Sequence, residues 1–547
     1  MLHRLSLVIC ALLGWSLWQI MLYLRMRRAS KLLYSLPGPP SASFLSGNLR
    51  QFFARNGLDF HTHVATDYGS VVKLNGFVGY PMIYVSDPKA LHTMLIKEEH
   101  IFQEAEDSLT VNSALFGTSL ASTLGGHHAK QRKLINPAFS VNHMREMLPL
   151  FYDVTRKLRD AVASRITGEL QEVDMYSWLS RTALELIGQG GLGYSFDPLV
   201  EDCQDEYGDT LNRLTPNLDS LLLFRKLVPW STWLPTWMRR GFMQLFPAGS
   251  PPRNLVHIID TMDRRSREIY TEKKHAFENG DAEVVKQVGS GKDILSILMR
   301  ANSAADVNDR LPEEEVISQM NLFIAAGQNT TTNATARALQ ILAEKPAYQA
   351  RLRKELLEAR AADGLLYDEL NHLPLLDSII RETLRLYSPT VVLLRVATED
   401  TVLPVSEPIQ TVDGKQLNEI PVPKGTEFFI GSLGCNANKR IWGEDALEWK
   451  PERWLPSLAT SVTDARIPGA YSNLMTFLAG KRACIGFKFA EMGMKVLLAM
   501  LISHFTFELS EQPVVWNVAA VVYPSVGYTS LDPELPMKVS LYDAELQ

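Results

Sequence analysis

Apolar side chains are spaced along this chain in two ways, and the spacing divides it. From Leu5 to Leu24 they run almost without interruption (LSLVICALLGWSLWQIMLYL), with Gln19 the one strongly polar side chain. At about 1.5 Å per residue such a helix reaches ~30 Å, the thickness of a bilayer core, so residues 1–24 read as a transmembrane anchor. Arg25, Arg27, Arg28 and Lys31 follow it instead of a small-residue cleavage site, which favours an uncleaved anchor over a signal peptide. These cations outnumber Arg4 and the amino terminus before the run, so the positive-inside rule leaves the remainder of the chain in the cytosol. Leu36-Pro37-Gly38-Pro39-Pro40 comes next. Proline fixes φ and lacks an amide donor, so residues 25–46 form a basic linker with a stiff, non-helical end.

From residue 47 to residue 547 the period is mostly helical. Amphipathic stretches near 147–163, 176–189, 253–277, 313–343, 347–362 and 374–387 predict helices. Pro346 separates two of them and Pro389 ends the last. Alternating runs at 71–74 and 82–85 predict strands of a small sheet, and the polar stretch 278–292 predicts a surface loop. No internal repeat is present. The expected class is mainly α with small β-sheets. Residues 221–240 (LLLFRKLVPWSTWLPTWMRR) hold three tryptophans beside basic residues. That composition suits a membrane–water interface, and packing in a core is the competing reading.

Composition removes several classes. The chain of 547 residues is 46% hydrophobic and 21% charged, too apolar to be disordered. Its net charge of −6 counts against a general nucleic-acid binder. The four cysteines, Cys10, Cys203, Cys435 and Cys484, lie far apart with no C-x-x-C pair, so a disulfide scaffold, zinc ribbon or thioredoxin-like site is not expected. Length alone allows three or four domains, yet no low-complexity linker divides the interior.

The densest chemistry is Phe477 to Gly486, FLAGKRACIG. It puts one cysteine in a loop between Gly480 and Gly486, ahead of an apolar helical stretch. Glycine permits a tight turn or close approach to a flat ligand. A cysteine at a helix N-terminus near Lys481 and Arg482 is expected to have a depressed pKa. A lone thiolate is a poor zinc site but serves as the proximal ligand in one class of haem protein. Glu382-Thr383-Leu384-Arg385 is the chain's one E-x-x-R, whose charges share a helix face. Ala326-Gly327-Gln328-Asn329-Thr330-Thr331 places Ala326 and Thr330 one turn apart.

Together these segments resemble the cytochrome P450 superfamily. Phe477, Gly480, Arg482, Cys484 and Gly486 match F-x-x-G-x-R-x-C-x-G. Pro451-Glu452-Arg453-Trp454 is similar to the family's P-E-R-F, which implies that Glu382, Arg385 and Arg453 form a buried ion network. Residues 326–331 resemble the oxygen-activation segment, which implies catalytic roles for Ala326, Asn329 and Thr330. Asn329 stands where an acid is usual, and an amide cannot relay protons by titration. His128-x-x-x-Arg132 occupies the place of W-x-x-x-R, so His128, Arg132, Arg395 and Arg482 are the implied partners of the haem propionates.

The resemblance implies a P450 fold over 47–547, haem b with Cys484 as axial metal ligand, and a monooxygenase. No nucleotide fingerprint occurs in the chain. Electrons are therefore expected from NADPH–cytochrome P450 reductase, with cytochrome b5 as a second donor. Lys130, Lys133 and Lys488 are candidate contacts for an acidic partner. Family placement draws the pocket from 107–117, Phe323, 390–394 and 518–523, mostly apolar segments suited to a hydrophobic small molecule. A terpenoid or sterol is the preferred class. The segments around Trp442 and Cys484 look most like basidiomycete members, hence fungal specialised metabolism at the endoplasmic reticulum membrane. The rival readings are a reductase-independent hydroperoxide isomerase or dehydratase and a membrane-tethered haem-binding sensor.

Overall fold

The alternating runs form neighbouring strands, Val71–Asn75 (β1) and Pro81–Val85 (β2), antiparallel with Val71 opposite Val85. Three short strands complete this sheet: Phe102–Gln103 (β3), Leu394–Ala397 (β4) and Glu427–Ile430 (β5). Their order is β1-β2-β5-β4-β3, with only β2 and β5 parallel. A separate antiparallel hairpin joins Val514–Asn517 (β6) to Tyr523–Val526 (β7). The computed structural model describes residues 31–542 apart from 169, 198, 200–205, 280–291 and 456. The expected anchor and nearly all of the expected 278–292 loop lie outside the described residues. Among the described residues no helix is long and apolar enough to cross a membrane.

Nine helices position the site. They are Gly125–Ile135 (α1), Val141–Ala163 (α2), Met175–Leu186 (α3), Leu214–Ser220 (α4), Pro251–Asn279 (α5), Glu313–Glu344 (α6), Pro346–Glu358 (α7), Pro374–Leu386 (α8) and Phe487–His504 (α9). Helix α6 spans 32 residues, about 48 Å. Glu313, Glu314 and Glu315 fill its first turn, where the helix dipole favours anions. Pro346 ends it and occupies the start of α7. Helix α9 is buried nearly throughout, from Phe489 to Ser503, and packs against α2, α6, α7 and α8.

The helix ends differ from the sequence expectation at three places. Helix α2 begins six residues before 147, because the Ser140 hydroxyl accepts the His143 N–H at 3.3 Å and caps an earlier turn. Helix α3 stops at Leu186 and continues to Leu192 as a wider-turned segment rich in glycine. The stretch expected at 347–362 breaks after Glu358, where Arg360 takes a left-handed φ of +53° before the short turn Ala361–Gly364. In residues 221–240 the core reading does not hold, since Trp230 is 54%, Trp233 79% and Trp237 73% exposed.

Leu49, Phe52, Val64, Leu74 and Phe429 belong to a second, small core, and the buried His61 ring lies 4.0 Å from that of Phe52. His61 Nε2 donates to the Phe52 carbonyl at 2.7 Å. Burial lowers its pKa from 6.5 to about 4. As pH falls through that window the unfolded chain takes up a proton that the folded chain refuses, so stability falls with acid. The effect is roughly 3 kcal/mol below the folded pKa. His61→Gln is expected to flatten this slope. Urea midpoints measured from about pH 7 to about pH 4 check it, and an unchanged slope refutes it.

Candidate active site

Cys484 lies between the turn Gly480–Arg482 and the start of α9. Its N–H donates to the Phe477 carbonyl at 2.9 Å, closing the loop. The Phe477 ring sits 5.3 Å from Tyr471 and 6.0 Å from Phe487, so aromatic packing holds the loop from one side. Gly480 has φ +67°, and a Cβ there would meet the Leu95 carbonyl oxygen at 2.0 Å. Only glycine fits. Gly486 differs: its φ is −90° and a Cβ would make ordinary contact with Phe139 at 3.7 Å. Its part is a backbone one, as its N–H is directed to Cys484.

The thiol corrects one sequence expectation. Cys484 is walled in by protein, and burial pushes its pKa up, not down. The Gly486 N–H and the Arg132 guanidinium pull the other way. Lys481 and Arg482, adjacent in sequence, turn elsewhere. Lys481 pairs with Glu99, and Arg482 donates to the Leu120 carbonyl at 2.8 Å and to the Thr123 carbonyl. Arg132 takes the place they were expected to fill and donates to the Ala483 carbonyl at 2.8 Å. Cys484 nevertheless has accessible surface, so its side chain faces an internal cleft.

The opposite wall belongs to α6. Between Val316 and Leu342 only Ala326 is exposed, with Leu322, Gly327, Thr330 and Arg337 half-buried. Leu322, Ala326 and Thr330 are spaced by four and make one open stripe on an otherwise buried helix. The Thr330 hydroxyl donates to the Ala326 carbonyl at 2.7 Å. Asn329 is buried, and its carbonyl accepts from Asn333 Nδ2 at 2.7 Å. Phe139 packs 5.9 Å from Phe323 on α6 and is also the nearest group to Gly486, so both walls border one region. His127 Nε2 and Gln131 Nε2 each lie 2.9 Å from Glu315, which ties α1 to α6.

Charge gathers beside the loop. Arg395 is 3% exposed and lies 3.7 Å from Glu104, while Arg482 lies 3.4 Å from the same carboxylate. Arg132 is the third guanidinium. The His128 ring is buried, and its pKa falls to about 4 through desolvation and then the cations Arg482, Arg132 and Lys481. It is therefore neutral at physiological pH. Two of these guanidinium groups, those of Arg395 and Arg482, thus face the one carboxylate of Glu104, and Arg395 Nη2 is buried without a hydrogen-bond partner. Buried positive charge in excess calls for an anion. Two haem propionates would supply it and would take up the free Arg395 donor. Glu104 carries no motif signal, and sequence reasoning missed it.

The third cluster is a buried ion network. Glu382 and Arg385 are both fully buried and pair at 2.8 Å through two bonds. Arg453 Nε reaches Glu382 at 3.2 Å, and Trp454 Nε1 donates to the same carboxylate at 3.0 Å. Arg385 also donates to the carbonyls of Asn436, Ala446 and Glu448. Trp454 and these carbonyls were not foreseen. Two other groups of residues have partners within the chain. Asp107, counted with the pocket, turns away to pair with Arg225 at 2.9 Å. Lys130 donates to the Asn308 carbonyl, Lys133 lies 3.7 Å from Asp309, and Lys488 sits over the Phe487 ring.

A lone thiol facing a cleft under a long helix, with surplus buried arginine beside it, is the arrangement of a haem-thiolate protein. The family model for cytochrome P450 matches residues 37–528. The chain is 53% identical to cytochrome P450 monooxygenase 81 of Postia placenta, over 96% of each chain. It is 42% identical to the ganoderic acid synthetase CYP5150L8 of Ganoderma lucidum, over 93% of this chain and 94% of that one. It therefore belongs to the cytochrome P450 family and is a monooxygenase of the basidiomycete kind.

Proposed function

We propose that this monooxygenase oxidises a terpenoid or sterol in fungal specialised metabolism, with electrons from NADPH delivered by a membrane-bound reductase. The carrying observation is the open stripe Leu322–Ala326–Thr330, together with the half-buried apolar residues Val391, Val392 and Leu393 of the expected pocket segment. Such walls suit a hydrophobic substrate with little charge. A relative named for ganoderic acid synthesis points toward terpenoids. The test is yeast carrying this chain with a fungal reductase and fed a terpenoid and sterol panel. NADPH-dependent oxygenated products are expected, and product formation from lipid hydroperoxide alone would support the isomerase reading instead.

When bound, haem b would be held by the Cys484 thiolate, with Arg132, Arg395, Arg482 and His128 as partners for its propionates, and would supply the oxygen activation. The chain supplies orientation, dryness and protons. Neutral His128 offers one N–H to a carboxylate. Thr330 spends its own proton on the Ala326 carbonyl, which leaves its oxygen to accept from water in the cleft. Asn329 cannot titrate there. Asn329→Asp is expected to raise product formed per NADPH consumed by roughly two-fold or more. Unchanged or lower coupling shows that the amide is no handicap.

For the electron donor, the basic groove of about 520 Å³ lined by His128, Arg132, Lys133 and Lys481 is the best-placed docking surface. Cytochrome b5 would compete for it. The exposed aromatic segment from Phe224 to Phe246 would rest on the endoplasmic reticulum membrane beside the N-terminal anchor. Protease added to intact microsomes should then digest the bulk of the chain. Full protection contradicts a cytosolic catalytic body.

A further inference from the structure

The two carbonyls that hold Arg482, those of Leu120 and Thr123, belong to one stretch, residues 117–124, that is neither helix nor strand. Its internal hydrogen bonds, among Gly117, Ser119, Ser122 and Thr123, only shape a turn. Side chains from three helices fasten that turn to the body. Asn112 Nδ2 donates to the Ala121 carbonyl at 2.9 Å. The other two fasteners are glutamines, both fully buried. Gln319 Oε1, on α6, accepts the Leu120 N–H at 3.1 Å. Gln131 Oε1, on α1, accepts the Thr123 hydroxyl at 2.8 Å, and Gln131 Nε2 donates to Glu315 of α6 at 2.9 Å.

Two routes therefore run from α6 to the same guanidinium. One passes from Gln319 through Leu120, and the other from Glu315 through Gln131 and Thr123. Glu315 and Gln319 are four residues apart, and steps of three and four lead on to Leu322, Ala326 and Thr330. The face of α6 that opens on the cleft is thus the face that carries both braces. Gly117 sets the turn against this helix, for its φ is +80° and a Cβ there would meet Ser318 Oγ at 2.2 Å. At the far end Arg482 stands two residues before Cys484. Its two terminal nitrogens are each committed to one carbonyl, so the guanidinium is oriented as well as attracted.

We propose that Gln131 and Gln319 are positioning residues that hold Arg482 in register for a haem propionate and tie its place to α6. A guanidinium binds a carboxylate best as a planar fork, so a small rotation weakens the pairing. With either glutamine removed, one of the two carbonyls loses its fixed position and Arg482 turns with it. Glu104 lies 3.4 Å from Arg482 and competes for a guanidinium that has turned. The charge of Arg482 is unchanged throughout, so the glutamines act through geometry. Their role depends on Arg482 being a propionate partner and not on the substrate class.

The test is the rate at which the haem-loaded, full-length protein in detergent gives up haem to excess apomyoglobin, followed by absorption. Gln131→Met and Gln319→Met, which keep side-chain length, are each expected to speed haem loss about tenfold. Thr123→Val breaks the same link as Gln131→Met at a half-buried position and should match it, which keeps the test open if a buried variant fails to load haem. Thr123→Ser keeps the hydroxyl and should lose haem at the wild-type rate. In an Arg482→Lys background, which has no guanidinium to orient, Gln319→Met and Thr123→Val should each add less than about twofold. Wild-type rates in all the brace variants overturn the proposal. So does a full tenfold effect in both backgrounds, which would mean that the glutamines support the fold and not Arg482. An Arg482→Lys protein that loses haem at the wild-type rate removes Arg482 from the propionates, and the braces with it, while the monooxygenase assignment stands.

Discussion

Cys484→Ser is expected to abolish turnover and to remove the thiolate signature from the reduced, carbon monoxide-bound spectrum. Loss of a group that merely supports a metal ligand costs up to ~100-fold, so loss of the ligand itself should exceed that. The loop should survive the change, since the contact that closes it is a backbone one, from Cys484 N–H to the Phe477 carbonyl. Packing of Phe477 against Tyr471 and Phe487 is also untouched. Cys435 offers no replacement, being fully buried with its thiol pushed far up by burial. A variant that retains the thiolate spectrum would falsify the assignment of Cys484.

Glu382→Ala is expected to be the most damaging change away from the cleft. It strips Arg385 of both its carboxylate bonds while the guanidinium stays fully buried. It also frees Trp454 Nε1 and one contact of Arg453. An uncompensated charge of this kind costs about 3–5 kcal/mol, a large part of a typical stability of roughly 5–15 kcal/mol. Little soluble, haem-loaded protein should accumulate. Arg453→Ala is milder, because Arg385 keeps its pairing. Chemical denaturation of the two variants should rank them in that order, and equal stability would remove the case for a network centred on Glu382.

Much of the helical body was legible because its signals are local. Apolar positions at a 3.6-residue period, together with Pro346 and Pro389, were enough to place α5 through α8 to within a few residues. Caps and breaks were harder. The Ser140 cap and the left-handed Arg360 depend on a single backbone angle or hydrogen bond. In the site, the motif residues around Cys484 could be read directly. The arginines could be gathered only through family resemblance, because positions 132, 395 and 482 meet through tertiary folding. Glu104 had no local signal at all, for in sequence it looks like an ordinary surface residue, and Trp454 stood in a motif that did not announce its bond to Glu382. The same limit explains the thiol. Adjacent cations looked decisive, but the turn carries Lys481 to Glu99 and leaves burial as the largest influence.

The surplus of buried guanidinium beside the cleft has a consequence for the life of the protein. A chain that sets Arg395 and Arg482 against the single carboxylate of Glu104 gains stability when an anionic group joins them. Any ligand that binds only the folded form stabilises it by mass action, by about 4 kcal/mol at a thousand times its dissociation constant. Cellular haem supply then sets how many copies survive quality control, and a culture starved of iron would lose this enzyme by degradation before it lost the message encoding it.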